Sequence, residues 1–331
     1  MSARYDVVGI GNAIVDVLAH ADDAFLVRHG MTKGSMALID TATADKLYAD
    51  MAPGIECSGG SAANTIAGLA SLGGRGAFIG KVRDDQLGKV FHHDIEAIGV
   101  HFPTPPATDG APTARCLINV TPDAERTMST FLGACVELGP KDVDADVVRS
   151  ALVTYLEGYL WDKEEAKAAF VKAAELAHEA GREVSLSLSD PFCVDRHRAS
   201  FVELVEGHVD ILFANEDEIL SLYQVATFDE ALQHVRGHCK IAALTRSGKG
   251  SVVVSGEEIH VIDAEPDVKV VDTTGAGDAY AAGFLFGYTN GHATDLAHCA
   301  RLGSIAAAEI ISHFGARPET PLGELVAAKL G

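Results

Sequence analysis

Strand and helix patterns alternate through the second half of the chain, from residue 142 onward. Short apolar runs rich in β-branched residues predict strands, and longer amphipathic stretches predict helices. The predicted strands are 152–156, 184–188, 209–213, 241–245 and 251–254, and the predicted helices are 163–180, 195–206, 215–223 and 229–238. Because parallel strands need a long crossover, usually a helix, this order predicts a doubly wound, mostly parallel α/β sheet with helices on both faces.

A glycine-rich turn at 270–278 follows a further strand end and opens an apolar helix near Gly275. The first N–H groups of a helix have no helical partner and the helix dipole is positive there, so such a turn can bind an anion. Gly275 and Gly277 lack Cβ, which lets a ligand approach the backbone. Asp278 would repel a phosphate, so we interpret it as a base beside one. An ordinary helix cap is the alternative.

Composition excludes several classes of function. The 331 residues carry a net charge of -21 with no basic run, which argues against nucleic-acid binding. The longest apolar run, 279–288, is too short to span a bilayer. Six scattered cysteines without a CxxC pair predict reduced thiols in a cytoplasmic protein, not a disulfide framework or a zinc site. No repeat or long linker divides the chain, so residues 1–331 are predicted to form a single domain.

Two polar residues follow the first predicted strand, which spans 5–12. Asn12 and Asp16 lie at or just past its carboxyl end, where α/β proteins place ligands. A surface turn is the alternative for Asp16. The glycines of this strand resemble the start of a dinucleotide fingerprint, but Ile14 stands where its third glycine would be. This departure argues against an NAD-linked oxidoreductase.

A second glycine pair, Gly59–Gly60, precedes a helix of small residues that includes Asn64. Small side chains favour close packing, so a tightly buried helix and a ligand-binding turn are equal alternatives here. Farther on, 114–120 and 126–131 are predicted to be strands joined by a hairpin at 121–125. With 36–39 they could form a small separate sheet. On the residues alone, we interpret Arg126 as a solvent-exposed charged residue of this hairpin.

Residues 272–283 resemble the C-terminal signature of the ribokinase-like (PfkB-type) carbohydrate and nucleoside kinases along its whole length. Residues 57–73 resemble the N-terminal signature of the same family. The resemblance implies a ribokinase-like α/β fold in which a small β-sheet forms a lid over the active site. The lid would be contributed by about 14–40 and 110–133.

The resemblance also implies that the protein is a Mg·ATP-dependent kinase of an alcohol, and it implies roles for particular residues. The phosphoryl group would be bound by Gly275, Ala276, Gly277 and Arg126, with Asp278 deprotonating the acceptor hydroxyl. The sugar would be bound by Asn12, Asp16, Gly59, Gly60 and Asn64, with the glycine pair as a hinge.

The same resemblance places ATP and its metal on the second half of the sheet. Asn215 and Glu218 would hold Mg²⁺ through waters, although acidic residues in a first helical turn are also ordinary dipole complements. ATP would be bordered by Thr245, Gly248, Gly250 and Ser304. Ser304 lies on a helix predicted at 294–313, with Gly315 just past its end. The small side chains on one face of this helix could flank the adenine ring, or they could pack against another helix. A monovalent cation is a further candidate cofactor.

The acceptor is predicted from two stretches, 11–16 and 188–192, which are more similar to adenosine kinases than to ribokinases. The resemblance then implies adenosine, phosphorylated at its 5′ hydroxyl to AMP, with Tyr159, Phe192 and Met36 enclosing the purine. The alternative for both aromatic residues is a place in the core of the sheet. A kinase of a free sugar such as ribose or fructose, and a non-catalytic nucleotide or sugar sensor, are the competing functions. The oligomeric state is not predicted.

Overall fold

The computed structural model describes residues 3–123 and 125–330. Its largest element is an eight-stranded sheet. Its strands are β1 (Tyr5–Ile10), β5 (Gly76–Ile79), β8 (Ala151–Glu157), β9 (Glu183–Ser187), β10 (Ile211–Asn215), β11 (Ile241–Thr245), β12 (Ser251–Ser255) and β13 (Glu258–Ile262). They lie in the order β13-β12-β11-β10-β9-β8-β1-β5. The strands from β5 to β11 are parallel, and β12 and β13 are antiparallel. The predicted mostly parallel sheet is confirmed.

The described residues form twelve α-helices, which include those that cover both faces of this sheet. They are α1 (Asp23–Arg28), α2 (Thr41–Asp50), α3 (Ser61–Ser71), α4 (Gln86–Ala97), α5 (Ala145–Arg149), α6 (Glu164–Glu179), α7 (Pro191–His208), α8 (Glu216–Tyr223), α9 (Phe228–Val235), α10 (Ala276–Gly287), α11 (Leu296–Ile310) and α12 (Leu322–Leu330). Alternate residues of β10 enter two different apolar clusters, Leu212 the one with α6 and α7, and Phe213 the one with α3 and α10. Successive strand side chains point to opposite faces, so each cluster is one face of the sheet.

The single tryptophan lies in the first of these clusters. Trp161 is 4% exposed, and its ring centroid is 5.7 Å from that of Phe170 on α6 and 5.8 Å from that of Phe201 on α7. Its indole N–H donates to the hydroxyl of Ser200 at 2.9 Å. The buried indole is therefore both packed and hydrogen-bonded, as a buried tryptophan requires.

A second, five-stranded sheet has the order β3-β7-β6-β2-β4. Its strands are β2 (Ile14–His20), β3 (Met36–Leu38), β4 (Ile55–Gly59), β6 (Ala114–Val120) and β7 (Arg126–Phe131). We call it the small sheet. Three of its strands, β3, β6 and β7, match predicted strands, whereas β2 and β4 were not predicted as strands. In addition, β4 lies outside the segments 14–40 and 110–133 that were expected to form the lid. Ala124, in the predicted hairpin, lies outside the described residues.

One predicted helix end is wrong. The helix predicted at 294–313 ends earlier, with Ile311 as its C-cap, so Gly315 does not cap it. Instead, the Gly315 N–H donates to the Asp272 carboxylate at 3.1 Å, with Gly315 at φ 98°. This glycine therefore supports the glycine-rich turn through a hydrogen bond and does not end a helix.

Across residues 3–123 and 125–330, none of the helices combines the length and apolar character that a bilayer crossing requires. All six cysteines are free thiols.

Candidate active site

The glycine-rich turn is held in shape by Asp272. Its Oδ1 accepts hydrogen bonds from the N–H of Thr274 at 3.0 Å and from the Thr274 hydroxyl at 2.8 Å. Gly275 then adopts φ 79°, in the left-handed region that favours glycine, and forms the N-cap of α10. The Ala276 N–H donates to the Thr273 carbonyl at 3.2 Å, whereas Gly277 is exposed with open space at its Cβ position. The turn therefore presents a helix N-terminus that an anion can approach.

Asp278 lies in the first turn of α10 and contacts α3. The Ser61 hydroxyl donates to its Oδ1 at 2.6 Å, and the Asn64 amide nitrogen lies 3.4 Å from its Oδ2. The two sequence motifs thus meet at one carboxylate. Burial raises the pKa of Asp278 to about 6, and Ser61, Asn64 and Arg317 oppose that rise.

The glycine pair is fitted closely to the predicted sugar-binding residues. A Cβ on Gly59 would lie 2.3 Å from Oδ2 of Asp16, and a Cβ on Gly60 would lie 2.2 Å from the carbonyl oxygen of Asn12. Gly60 also has φ 97°. Burial raises the pKa of Asp16 to about 6, against the opposing charges of Arg317 and Arg126. The structure therefore brings Asp16, Asn12 and the glycine pair together.

A buried carboxylate, Glu157, joins these elements and was not predicted. It is 1% exposed at the end of β8. Its Oε1 accepts from the Asn12 amide at 2.6 Å, and its Oε2 accepts from the backbone N–H of Ala62 at 2.8 Å. Burial raises its pKa to about 7, and the Asp278 charge adds to that rise. Glu157 thus fixes the end of β1 against the start of α3.

Arg126, on β7 of the small sheet, reaches the glycine-rich turn. Its Nη1 lies 2.7 Å from Oδ2 of Asp272, and each of the two side chains is 9% exposed. Its guanidinium also lies 5.1 Å from the ring centroid of Phe314. Its Nε and Nη2 are buried without a hydrogen-bond partner among the described residues. Arg126 is therefore not a solvated hairpin charge, and it keeps donors that an anion could satisfy.

A family model described as pfkB family carbohydrate kinase matches residues 56–322. The match includes the glycine pair, the β6–β7 hairpin and the glycine-rich turn. The chain belongs to the pfkB carbohydrate kinase family. The predicted family and its ribokinase-like fold are thereby confirmed, and the protein is a sugar or nucleoside kinase.

Relatives of the pfkB protein carry different substrate names. The crystal structure of an adenosine kinase from Sinorhizobium meliloti is 55% identical, covers 99% of this chain and 100% of its own, and superposes with a TM-score of 0.90. A probable sugar kinase from Rhizobium etli CFN 42 is 52% identical, covers 98% of both chains and also has a TM-score of 0.90. A probable fructokinase-4 from Arabidopsis thaliana is 29% identical over 71% of this chain and 74% of its own.

In the pfkB chain, Asn215 and Glu218 form a reciprocal helix cap. The Asn215 side-chain oxygen accepts from the Glu218 N–H at 2.8 Å, and Glu218 Oε2 accepts from the Asn215 N–H at 2.9 Å. The capping alternative is therefore observed, and the metal role stays a prediction. Among the described residues, no group of three or more His, Cys, Asp or Glu is arranged to hold a metal ion directly.

The same pair nevertheless fits Mg²⁺ bound through waters. Burial raises the pKa of Glu218 to about 7, and the charges of Asp190, Asp217 and Asp278 raise it further. A nearby cation would offset that repulsion. Each Glu218 oxygen is hydrogen-bonded to Asn215 but keeps a lone pair for water. Oxygen ligands and retained water are what Mg²⁺ prefers.

The residues predicted to border ATP differ in how tightly they are built in. Thr245 ends β11 and pairs in register with Asn215. A Cβ on Gly250 would lie 2.0 Å from the Ile262 carbonyl oxygen, whereas Gly248 has open space around its Cβ position. Ser304 is buried on α11. Gly250 therefore has a structural reason to be glycine, and the ATP contacts of these residues stay predictions.

The aromatic residues predicted to enclose a purine are at the surface. Phe192 is 75% exposed, Met36 is 55% exposed and Tyr159 is 42% exposed. The alternative that both aromatics are core residues is wrong. Tyr159 and Phe192 follow the neighbouring parallel strands β8 and β9, and the Tyr159 N–H donates to the Ser189 hydroxyl at 3.3 Å. Both therefore lie at the carboxyl edge of the sheet.

Ser61, Glu157 and Arg317 were missed at the sequence level. Ser61 could have been found, because it is the first residue after the glycine pair and opens a helix. Glu157 directly follows the predicted strand at 152–156, which is a weaker signal. Arg317 lies between α11 and α12, and nothing in its local sequence indicates a site.

Proposed function

We propose that the protein is a Mg·ATP-dependent nucleoside kinase that transfers the γ-phosphoryl group of ATP to the 5′ hydroxyl of adenosine. One observation carries the proposal: Asp278, in the first turn of α10, is hydrogen-bonded at 2.6 Å by Ser61 at the start of α3. The turn that would bind an anion and the carboxylate that would act as a base thus lie in the same helix end, fixed against α3. Phosphoryl transfer to an alcohol requires both, one for the developing charge and one for the hydroxyl proton.

In this mechanism Asp278 accepts the proton of the 5′ hydroxyl as its oxygen attacks the γ-phosphorus. The bond from the γ-phosphorus to the bridging oxygen of ATP breaks, ADP leaves, and the proton passes from Asp278 to solvent. With its pKa raised to about 6, Asp278 remains mostly ionised at neutral pH and is a stronger base than an ordinary aspartate. Its hydrogen bond from Ser61 fixes the carboxylate in place.

The glycine-rich turn and Arg126 would stabilise the negative charge of the transferred phosphoryl group. The α10 N-terminus offers N–H groups, and the buried, unpaired Nε and Nη2 of Arg126 can donate to phosphate oxygens. When bound, Mg²⁺ would neutralise phosphate charge, held through waters by Asn215 and Glu218. Because Arg126 belongs to the small sheet, we interpret that sheet as a lid that excludes water from the site.

The acceptor is inferred from two kinds of surface. Asp16 and Asn64 offer oxygen and nitrogen atoms for sugar hydroxyls, and the side-chain oxygens of Asn12 and Asn64 are buried without partners among the described residues. Exposed Tyr159, Phe192 and Met36 offer apolar walls for a purine. A free sugar would leave those walls facing water. The 55% identical adenosine kinase supports the same assignment.

A kinase of a free sugar is the second candidate function. It is favoured by the probable sugar kinase at 52% identity and by the fructokinase names among the curated relatives. The hydroxyl-binding residues would serve such a substrate equally well. A non-catalytic sensor is disfavoured, because binding alone needs no base at Asp278.

The deciding experiment measures kcat/KM for adenosine, inosine, ribose and fructose with Mg·ATP, using ADP release as the readout. We expect adenosine to give the highest value. We also expect Phe192→Ala to lower kcat/KM for adenosine but not for ribose, because only the purine loses a wall. If ribose or fructose exceeds adenosine, the nucleoside assignment is wrong and the kinase assignment stands.

A further inference from the structure

Arg317 lies between α11 and α12, and the mechanism above does not use it. Its Nη2 donates to the carbonyl oxygen and to the hydroxyl of Ser58, each at 2.9 Å, and its Nε donates to the same carbonyl at 3.2 Å. Ser58 is 1% exposed on β4, immediately before the glycine pair. Its N–H donates to Asp94 on α4 at 2.7 Å. The guanidinium is therefore fixed against the end of β4.

The charge of Arg317 is not taken up by a contact ion pair. Among the described residues, no carboxylate oxygen lies within 4.0 Å of its guanidinium nitrogens, although 25 other pairs meet that distance. Burial lowers the pKa of Arg317, while Asp94, Asp16 and Asp278 each oppose that change. All three acids lie against residues 58–61: Asp94 accepts from the Ser58 N–H, Asp16 lies beside Gly59, and Asp278 accepts from Ser61, yet none pairs directly with Arg317.

We propose that Arg317 is a positioning residue of this site, a fixed guanidinium that ties the end of β4 to the 311–321 segment and supplies positive charge shared by Asp16 and Asp278. The inference rests on the proposed kinase function. In this role the positive charge of Arg317 helps to keep Asp278, the proposed base, ionised although other carboxylates lie nearby. It also joins β4 of the small sheet to the segment between α11 and α12, directly before the glycine pair.

The surroundings of the two acids explain why one cation matters. Groups of several elements face Asp278: Ser61 and Asn64 from α3, Tyr155 and Glu157 from β8, Tyr159 after β8, Glu218 from α8, and Arg317. Asp16 is faced by Cys57 on β4, Cys116 on β6, Arg126 on β7, and Arg317. Arg317 is common to both sets. It lowers the pKa of both acids, in opposition to burial.

The sign of the expected change follows from the role of Asp278 as a base. The base works when ionised, so activity falls as pH drops through its pKa. Removing a nearby positive charge raises that pKa. The acidic limb of the pH profile should therefore move to higher pH, and activity near neutral pH should fall.

The test compares Arg317→Gln, which removes the charge but keeps an amide donor for Ser58, with Arg317→Lys, which keeps the charge. Arg149→Gln is the matched control, because Arg149 pairs with Glu179 at the surface. We expect the acidic limb of kcat/KM for Arg317→Gln to rise by about one pH unit. Arg317→Lys should keep the wild-type limb while the acceptor KM rises, and Arg149→Gln should match the wild type.

A second measurement needs no substrate. Titration of ¹³C-labelled aspartate carboxyl groups by NMR, in wild type and Arg317→Gln, should show upward pKa shifts at Asp16 and Asp278. Unchanged carboxyl titrations with an unchanged acidic limb would overturn the inference and leave Arg317 a structural tether. If no acceptor releases ADP with the wild type, the proposed function fails instead, and the NMR titration still decides the role of Arg317.

Discussion

At the scale of single residues, Asp278 has the most sharply defined chemistry. Its carboxylate is held by Ser61, and asparagine would preserve the size of the side chain and an oxygen for that hydrogen bond. We expect Asp278→Asn to lower kcat by about 10²–10⁴-fold with nearly unchanged ATP affinity, because only the proton acceptor is lost. Steady-state kinetics and calorimetric ATP binding measure the two quantities.

The control for that variant is Asp146→Asn. Asp146 is also an aspartate in the first turn of a helix, α5, but it is exposed, and α5 packs against α6, β8 and β1. Turnover close to wild type in Asp278→Asn would remove Asp278 from the mechanism.

Arg126 is the second residue whose role can be separated from simple binding. In the structure it pairs with Asp272, so β7 places it at the glycine-rich turn. If it stabilises charge that develops during transfer, Arg126→Ala should lower kcat more than it raises the acceptor KM. Arg126→Lys keeps the charge but loses the planar guanidinium with its paired donors, so its kcat should lie between those of the wild type and Arg126→Ala. The reverse pattern, a raised KM with normal kcat, would make Arg126 an acceptor-binding residue.

At the scale of elements, the junction between β4 and α3 depends on Gly60. Gly60 and Gly73 share a positive φ, 97° and 94°, but Gly60 combines it with ψ 141°, a region that other residues avoid, and would place a Cβ 2.2 Å from the Asn12 carbonyl oxygen, whereas a Cβ on Gly73 would meet open space. Alanine at Gly73 should therefore cost only the strain of a positive φ, about 1–3 kcal/mol. Alanine at Gly60 should cost more and should also lower kcat/KM, because Asn12 has to move.

Urea unfolding and kinetics on Gly60→Ala and Gly73→Ala measure that difference. Equal losses of stability and equal activity in the two variants would show that the close approach to Asn12 has no consequence.

The start of α8 offers a way to separate a cap from a metal site. Glutamine also completes a capping box, so Glu218→Gln should keep the cap with Asn215 while removing the negative charge. We expect a higher Mg²⁺ concentration for half-maximal rate and little change in melting temperature. Glu230→Gln is the matched control, because Glu230 completes the same kind of cap with Thr227 on α9. An unchanged Mg²⁺ dependence in Glu218→Gln would leave α8 with a cap only.

At the scale of the whole molecule, the large sheet, apart from β13, was predictable because its strands and helices repeat a local pattern. The strands β2 and β4 were not, because Asp16 interrupts the one and Glu56 and Cys57 the other, and both are stabilised by pairing with each other in the small sheet. Asp278, Asn64 and Asp16 could be selected as candidate site residues because each lies in or beside a recognisable motif. Glu157 had only the weak signal of following a predicted strand, and Arg317 had none, because it lies in no motif and its partner Ser58 is 259 positions away along the chain.

The position of the only tryptophan has a spectroscopic consequence. Trp161 is the sole indole of the chain and is packed between α6 and α7, in the layer that covers one face of the large sheet. Its fluorescence therefore reports the melting of that layer and gives no signal from the small sheet, whose strands contain no indole. Comparing the tryptophan emission with far-ultraviolet circular dichroism during denaturation would reveal whether the two sheets unfold in one cooperative step or in two.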